Sequence, residues 1–195
     1  NFRGILPSVT PKSKQLLRRA IVAVVLIAAV AVGFKYARHW IFLDNFGVVE
    51  AGRIYRSGQP KPHQLEGLIR KYGIRTIINT REPDAPEAVI RDEEDICARN
   101  GVRMVRFMMP GDGRGTYEQY DEAVAILRNP TNLPALVHCA RGSYRSGAVI
   151  ASYRVLAQGW SEADAFREMA EYRAHTDGHT LVPHLQEYFR SRSQR

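Results

Sequence analysis

The sequence predicts an α/β fold: a central, mainly parallel sheet of four to five strands with helices on both faces, preceded by one N-terminal transmembrane helix. Three observations carry that expectation. From Asp44 onward, short apolar runs alternate with segments of helical periodicity, as strands and their covering helices do. One apolar run, Ala20 to Phe34, is unbroken and flanked by bare cations. The composition, 45% hydrophobic and 25% charged over 195 residues, suits one globular domain with an appendage.

Residues 1–19 read as a basic disordered leader, 20–43 as a transmembrane anchor with its flank, and 44–195 as the globular domain. At ~1.5 Å per residue the apolar run falls short of a ~30 Å hydrocarbon core. Lys35 and Arg38 can snorkel, however, and Tyr36 and Trp40 suit the headgroup level. Ala29-Val30-Ala31 resembles a signal cleavage site, so a removed signal stands beside the favoured retained anchor. The formal charge of +8 belongs to this segment: residues 1–40 hold seven basic and no acidic side chains, whereas 21 basic face 20 acidic ones from Ile41 on. A nucleic-acid footprint on the domain is therefore not expected. More cations precede the apolar run than follow it, which places the N-terminus in the cytoplasm and the domain outside it. The two cysteines give no disulfide framework.

Within the domain, GRIYRSG reads as a short strand and Pro62 to Tyr72 as a helix with Leu65, Leu68 and Ile69 on one face. IRTIINT is a buried strand, and Pro86 to Asn100 a helix stopped by Gly101. VRMVRFMMP is the next strand. A Thr116–Gln119 capping box opens a helix that runs to Leu127. ALVH is the central strand, followed by a polar loop and a helix from Ser146 to Gln158. Ser161 and Asp164 open another helix, and Leu181 to Arg190 closes the domain.

The loop after ALVH carries the chemistry. In LVHCARGSYRSG, Cys139 follows an apolar strand, Gly142 lies mid-loop, and Ser146-Gly147 leads into a helix. Strand, tight loop and helix gather backbone N–H groups around an anion. A thiol held there ionises readily and becomes a nucleophile. Arg145 offers a planar fork for two phosphoryl oxygens, which a lysine lacks. Gly142 permits a bend that a Cβ resists. Ser146 can donate to the sulfur and improve it as a leaving group. Ala140, Arg141, Gly142, Ser143 and Tyr144 then line the substrate.

HCARGSYRSG resembles the H-C-x-x-G-x-x-R-[ST]-G signature of cysteine-dependent protein tyrosine and dual-specificity phosphatases. NFGVVEAGRIYRSGQP, followed by YGIRTIINTREPD, is similar to the opening of the atypical dual-specificity group of plants, fungi and bacteria. The likeness runs from about Asp44 to Gln158. It implies the fold of protein tyrosine phosphatases and a phosphocysteine intermediate. It further implies no metal or other cofactor, a phosphorylated substrate (a phosphoprotein or an inositol phosphate), and an aspartic acid on a separate mobile loop. That acid must reach the leaving oxygen, so a loop after a strand is favoured. Asp112, between two glycines and 27 residues before Cys139, fits best. Asp84 in REPDAPE is the runner-up, and Asp121 reads as a solvated charge. Plant and fungal members commonly carry lysine then histidine before the signature arginine, associated with inositol pyrophosphates. Here those positions are Ser143 and Tyr144, which makes a phosphotyrosine-like or singly phosphorylated substrate more plausible. Tyr144 either stacks on an aromatic leaving group or packs.

The resemblance implies a phosphomonoester hydrolase, which the apolar run would anchor in a membrane, with an inositol (pyro)phosphate or phosphoinositide phosphatase, or a silent phospho-binding module, as alternatives. A rhodanese-like sulfurtransferase would need neither the Asp112 loop nor Arg145. The low-molecular-weight phosphatase architecture places its cysteine loop near the start of the domain. Other tempting residues have plainer readings. Cys97 reads as a buried, inert thiol, its sharper role being a redox partner for Cys139. His175, His179, His184 and Asp177 match no common ligand spacing and read as a polar turn. RDEEDI reads as the solvated face of a helix.

Overall fold

A computed structural model describes residues 11–176 and 180–194. It divides into two compact units, with the boundary between Phe42 and Leu43. The first contains α1 (Pro11–Ile41), which takes in residues 11–19, expected as part of a disordered leader. Its apolar stretch Gln15–Phe34, 20 residues, rises ~30 Å, long and apolar enough to cross a membrane. Leu16, Ile21, Leu26, Ile27 and Phe34 are all exposed along it.

The second unit holds β1 (Gly47–Glu50), β2 (Ile54–Ser57), α2 (Pro62–Tyr72), β3 (Thr76–Asn79), α3 (Glu87–Arg99), β4 (Arg103–Arg106) and α4 (Tyr117–Arg128). It continues with β5 (Ala135–His138), α5 (Tyr144–Gln158), α6 (Glu162–Glu171) and α7 (Leu181–Ser193). The sheet order is β1-β2-β5-β3-β4, and only β1 is antiparallel to its neighbour. The expected α/β architecture is therefore present.

Alternation along the strands sorts the core. Tyr55, Leu136 and Ile77 lie in register across β2, β5 and β3, and they pack with Leu65 and Ile69 of α2 and Ile96 and Cys97 of α3. On the other face Ile54, Val137 and Ile78 pack with residues of α4, α5, α6 and α7. α5 runs through the middle of that layer, buried from Arg145 to Arg154.

The differences from expectation are local. β1 is an edge strand of four residues, too short for its alternation to stand out. β4 ends at Arg106, although Phe107 N still donates to Asn79 O at 2.8 Å; Pro110 beyond it offers no N–H. α5 starts two residues before Ser146, because the cap is the loop itself and no side chain caps it. The capping residues Thr116 and Ser161 accept from Gln119 N and Asp164 N as their sequence spacing requires.

Candidate active site

Ser57, His138 and Asn79 form one row at the carboxyl ends of β2, β5 and β3. In open parallel sheets that edge is where ligands bind. The chain turns there through Cys139–Ser143 into α5. Gly142 N donates to Cys139 Sγ at 3.1 Å, and Ser146 Oγ lies 3.6 Å from the same sulfur. Gly142 has φ +73°, and a Cβ on it would stand 2.6 Å from Ser57 C and Gly58 N. Glycine is thus required twice over, by handedness and by the approach of the β2 end. Gln59 N donates to Ala140 O at 3.1 Å, and Asn45 Nδ2 to Arg141 O at 2.9 Å and Ser143 Oγ at 3.1 Å. The loop is held from outside, which leaves the sulfur by the first turn of α5 with the Gly142 amide directed at it.

Arg145, in that first turn, is buried and ion-paired with Glu82. Nη1 is the atom that faces Glu82, whereas Nε makes no hydrogen bond among the described residues and is left as a donor for an oxyanion. Burial, with the neighbouring Arg81 charge second, holds its guanidinium below the usual arginine value. Glu82 also receives Arg81 Nη2 at 2.7 Å, and its carbonyl receives Arg106 Nη2 at 3.1 Å. Sequence reasoning weighed Asp84 from this segment and passed over Glu82. Asp84 is exposed, on the turn beyond.

Asp112 sits on the loop that leads from β4 to α4. Its carboxylate accepts from Arg114 N at 3.0 Å and Arg114 Nε at 2.6 Å. The loop abuts the cysteine loop: a Cβ on Gly113, at φ +90°, would lie 3.1 Å from Tyr144 C. It is also clamped. Tyr120 Oη donates to Gly113 O at 2.6 Å and accepts from Gly115 N at 2.8 Å, while His184 Nε2 meets Gly115 O at 2.9 Å. Asp121, read as a solvated charge, is part-exposed and accepts from Tyr188 Oη and from Nε and Nη2 of Arg192.

A second missed residue is Glu93. The RDEEDI segment was expected to face water, yet Glu93 is only 2% exposed. It shares the inner face of α3 with Ile90, Ile96 and Cys97, one turn apart on the helix. Its carboxylate meets His138 Nε2 at 2.5 Å and accepts from Asn79 Nδ2 at 2.9 Å and Gln59 Nε2 at 3.2 Å. Burial alone would raise its pKa; the His138 charge and these three hydrogen bonds outweigh it, and the carboxyl stays below its ordinary value.

The remaining candidates sort by contact. Tyr144 accepts from His175 N at 3.2 Å and packs on the core, which favours the packing reading. Ser143 is buried with its hydroxyl engaged by Asn45, and Arg141 is exposed at the rim. Cys97 is buried, and burial first, then Glu93 and Glu94, push its thiol up to about 12. Such a thiol is a poor partner for a redox exchange. His184 is half-buried against the rings of Tyr117 and Tyr120; Asp177 and His179 lie outside the described residues.

A nucleophilic sulfur, a buried guanidinium and a nearby carboxylate at a strand–loop–helix can bind and cleave a tetrahedral oxyanion ester. Residues 40–193 match the tyrosine phosphatase family. The chain belongs to that family. Among curated relatives, the tyrosine-protein phosphatase-like protein OCA2 of Saccharomyces cerevisiae is 28% identical over 116 residues, 59% of this chain and 57% of its own. The inositol diphosphatase SIW14 of the same yeast is 28% identical over 133 residues, 66% of this chain and 45% of its own. The chain thus spans roughly half the length of these relatives. The crystal structure of the core catalytic domain of SIW14 with citrate superposes with a TM-score of 0.66 at 26% identity, covering 80% of this chain and 91% of that one. The superfamily read from the cysteine signature and the subgroup read from NFGVVEAGRIYRSGQP and YGIRTIINTREPD are borne out.

Proposed function

We propose that the chain is a phosphatase that works through a phosphocysteine, held at a membrane by α1. The observation that carries the reading is the sulfur of Cys139 beside Gly142 N and Ser146 Oγ, at the foot of the helix that bears Arg145. In the first step the Cys139 thiolate attacks phosphorus and a P–S bond forms as the P–O bond to the leaving group breaks. Arg145 and the loop amides take the phosphoryl oxygens, and Asp112, released from Arg114, gives its proton to the departing oxygen. In the second, a water loses its proton to Asp112 and attacks phosphorus; the P–S bond breaks, with Ser146 donating to the sulfur, and phosphate leaves.

The loop composition, with Ser143 and Tyr144 ahead of Arg145, supports a singly phosphorylated, phosphotyrosine-like ester. A second reading, an inositol polyphosphate, is favoured by the relation to SIW14 and by a cavity of about 520 Å³ beside the loop, where Arg141, Arg173 and His175 stand against one carboxylate, Asp44, with Asn45, Ser143 and Tyr144 completing the wall. Hydrolysis of p-nitrophenyl phosphate in the presence of chelator tests the activity. Cys139→Ser is expected to abolish it, and turnover equal to wild type in that variant would refute the mechanism. A panel of phosphotyrosine peptides and inositol polyphosphates then separates the two substrate classes by kcat/KM.

A further inference from the structure

Arg56, on β2, is fully buried. Its side chain shares the Ile78–Val137 face of the sheet and reaches under the cysteine loop, where Nη2 donates to Gly142 O at 2.9 Å. The guanidinium lies over the ring of Tyr172, 3.8 Å from its centroid. Nε and Nη1 have no hydrogen-bond partner among the described residues. A cation removed from water is costly unless an anion compensates it, and burial lowers this arginine to about 10.

The charged and titratable groups that face it are Tyr172, Glu168 of α6, Arg154 of α5 and Cys139. Glu168 is already bound by Arg154, with contacts of 2.9 and 2.6 Å. Arg154 is a cation, and Tyr172 presents its ring. Around the loop, Arg145 has Glu82 and His138 has Glu93 as carboxylate partners, whereas no carboxylate pairs with Arg56 among the described residues. The sulfur of Cys139 is the group left whose ionisation would match the buried charge.

We propose that Arg56 is a positioning residue that keeps Cys139 as a thiolate, supplying a fixed positive charge beneath the loop and orienting Gly142, whose amide donates to the sulfur. The proposal rests on the phosphatase reading only in that the thiolate is the nucleophile. The coupling has a definite sign: a fixed cation near the sulfur favours its charged form and lowers its pKa. Neutralising position 56 would therefore remove the charge that favours the ionised sulfur.

The test is the pH dependence of iodoacetamide alkylation at Cys139, read on its own peptide by mass spectrometry in the full chain. Wild type is compared with Arg56→Met, Arg56→Gln and Arg56→Lys. The neutral variants are expected to move the alkylation midpoint up by at least about one pH unit, a tenfold loss of rate below the midpoint. Arg56→Lys keeps the charge and is expected to shift by less than half of that. Neutral variants with the wild-type midpoint would overturn the proposal. So would a lysine variant displaced by a full unit, and that arm decides alone should the neutral variants not fold. Alkylation needs no substrate, so failure of the phosphatase reading shows separately, as a reactive thiolate without hydrolysis of p-nitrophenyl phosphate.

Discussion

Gly142 shows how little latitude a single position in the cysteine loop has. Its φ of +73° disfavours any side chain, and the atoms its Cβ would strike, Ser57 C and Gly58 N, are backbone that cannot swing aside. Gly142→Ala must therefore either flatten the loop or push it off the end of β2. Both lengthen the contact from residue 142 N to the sulfur, now 3.1 Å. The variant is expected to lose about 1–3 kcal/mol of stability in a denaturant titration and at least ~10-fold in kcat/KM with p-nitrophenyl phosphate. A variant that is destabilised yet fully active would show that this amide does not serve the sulfur.

At the scale of elements, the loop after β4 is fixed through the helix that follows it. The hydroxyl of Tyr120, completely buried, donates to Gly113 O and accepts from Gly115 N, so one side chain of α4 closes the backbone turn beside Asp112. Tyr120→Phe removes both bonds and leaves two polar groups without partners, at a cost of about 1–3 kcal/mol. Faster amide hydrogen exchange confined to residues 111–116, with kcat lowered more than KM is raised, is the expected outcome. Unchanged exchange there would mean that the turn holds itself. The same elements show what was legible in the sequence. Helix ends and strands announced themselves wherever a local rule set them: Thr116 and Ser161 as caps, and the apolar runs of β3 and β5. Cys139, Arg145 and Gly142 stood out because their chemistry is packed into a few consecutive residues. Glu82 and Glu93 did not. Each acquires its role from a partner far along the chain, Arg145 and His138, and only the folded sheet brings them together. A charge in RDEEDI carries no local mark that separates the one facing the core from those facing water.

Over the whole molecule, Glu93 ties α3 to β3, to β5 and to the segment after β2. Its folded-state pKa lies below its unfolded value of about 4.3, so its contribution to stability is complete above that pH. As pH falls through the lower folded value, the protonated carboxyl loses the charge that His138 and the donors hold, and the contribution disappears. Urea titrations of wild type should thus give a midpoint that drops steeply below about pH 4.3, and Glu93→Gln should be less stable near neutrality while losing part of that acid limb. Parallel curves for the two proteins would remove Glu93 from the account. The other unit of the chain calls for a different measurement. Gln15–Phe34 carries exposed Leu, Ile, Val and Phe on every side, a surface that water does not tolerate but hydrocarbon does. If α1 is a retained anchor, the full chain stays with phospholipid membranes through alkaline carbonate extraction, and N-terminal sequencing of the membrane-borne protein finds the segment intact. Replacing Val24 and Ala28 with lysine places two charges mid-span, each costing about 2.5–3.5 kcal/mol at a bilayer centre. That variant should move to the soluble fraction with its rate on p-nitrophenyl phosphate unchanged, because residues 43–195 form a compact unit of their own. Sequencing that begins just after Ala31 would instead identify the segment as a cleaved signal, and the catalytic unit would then work free of the bilayer.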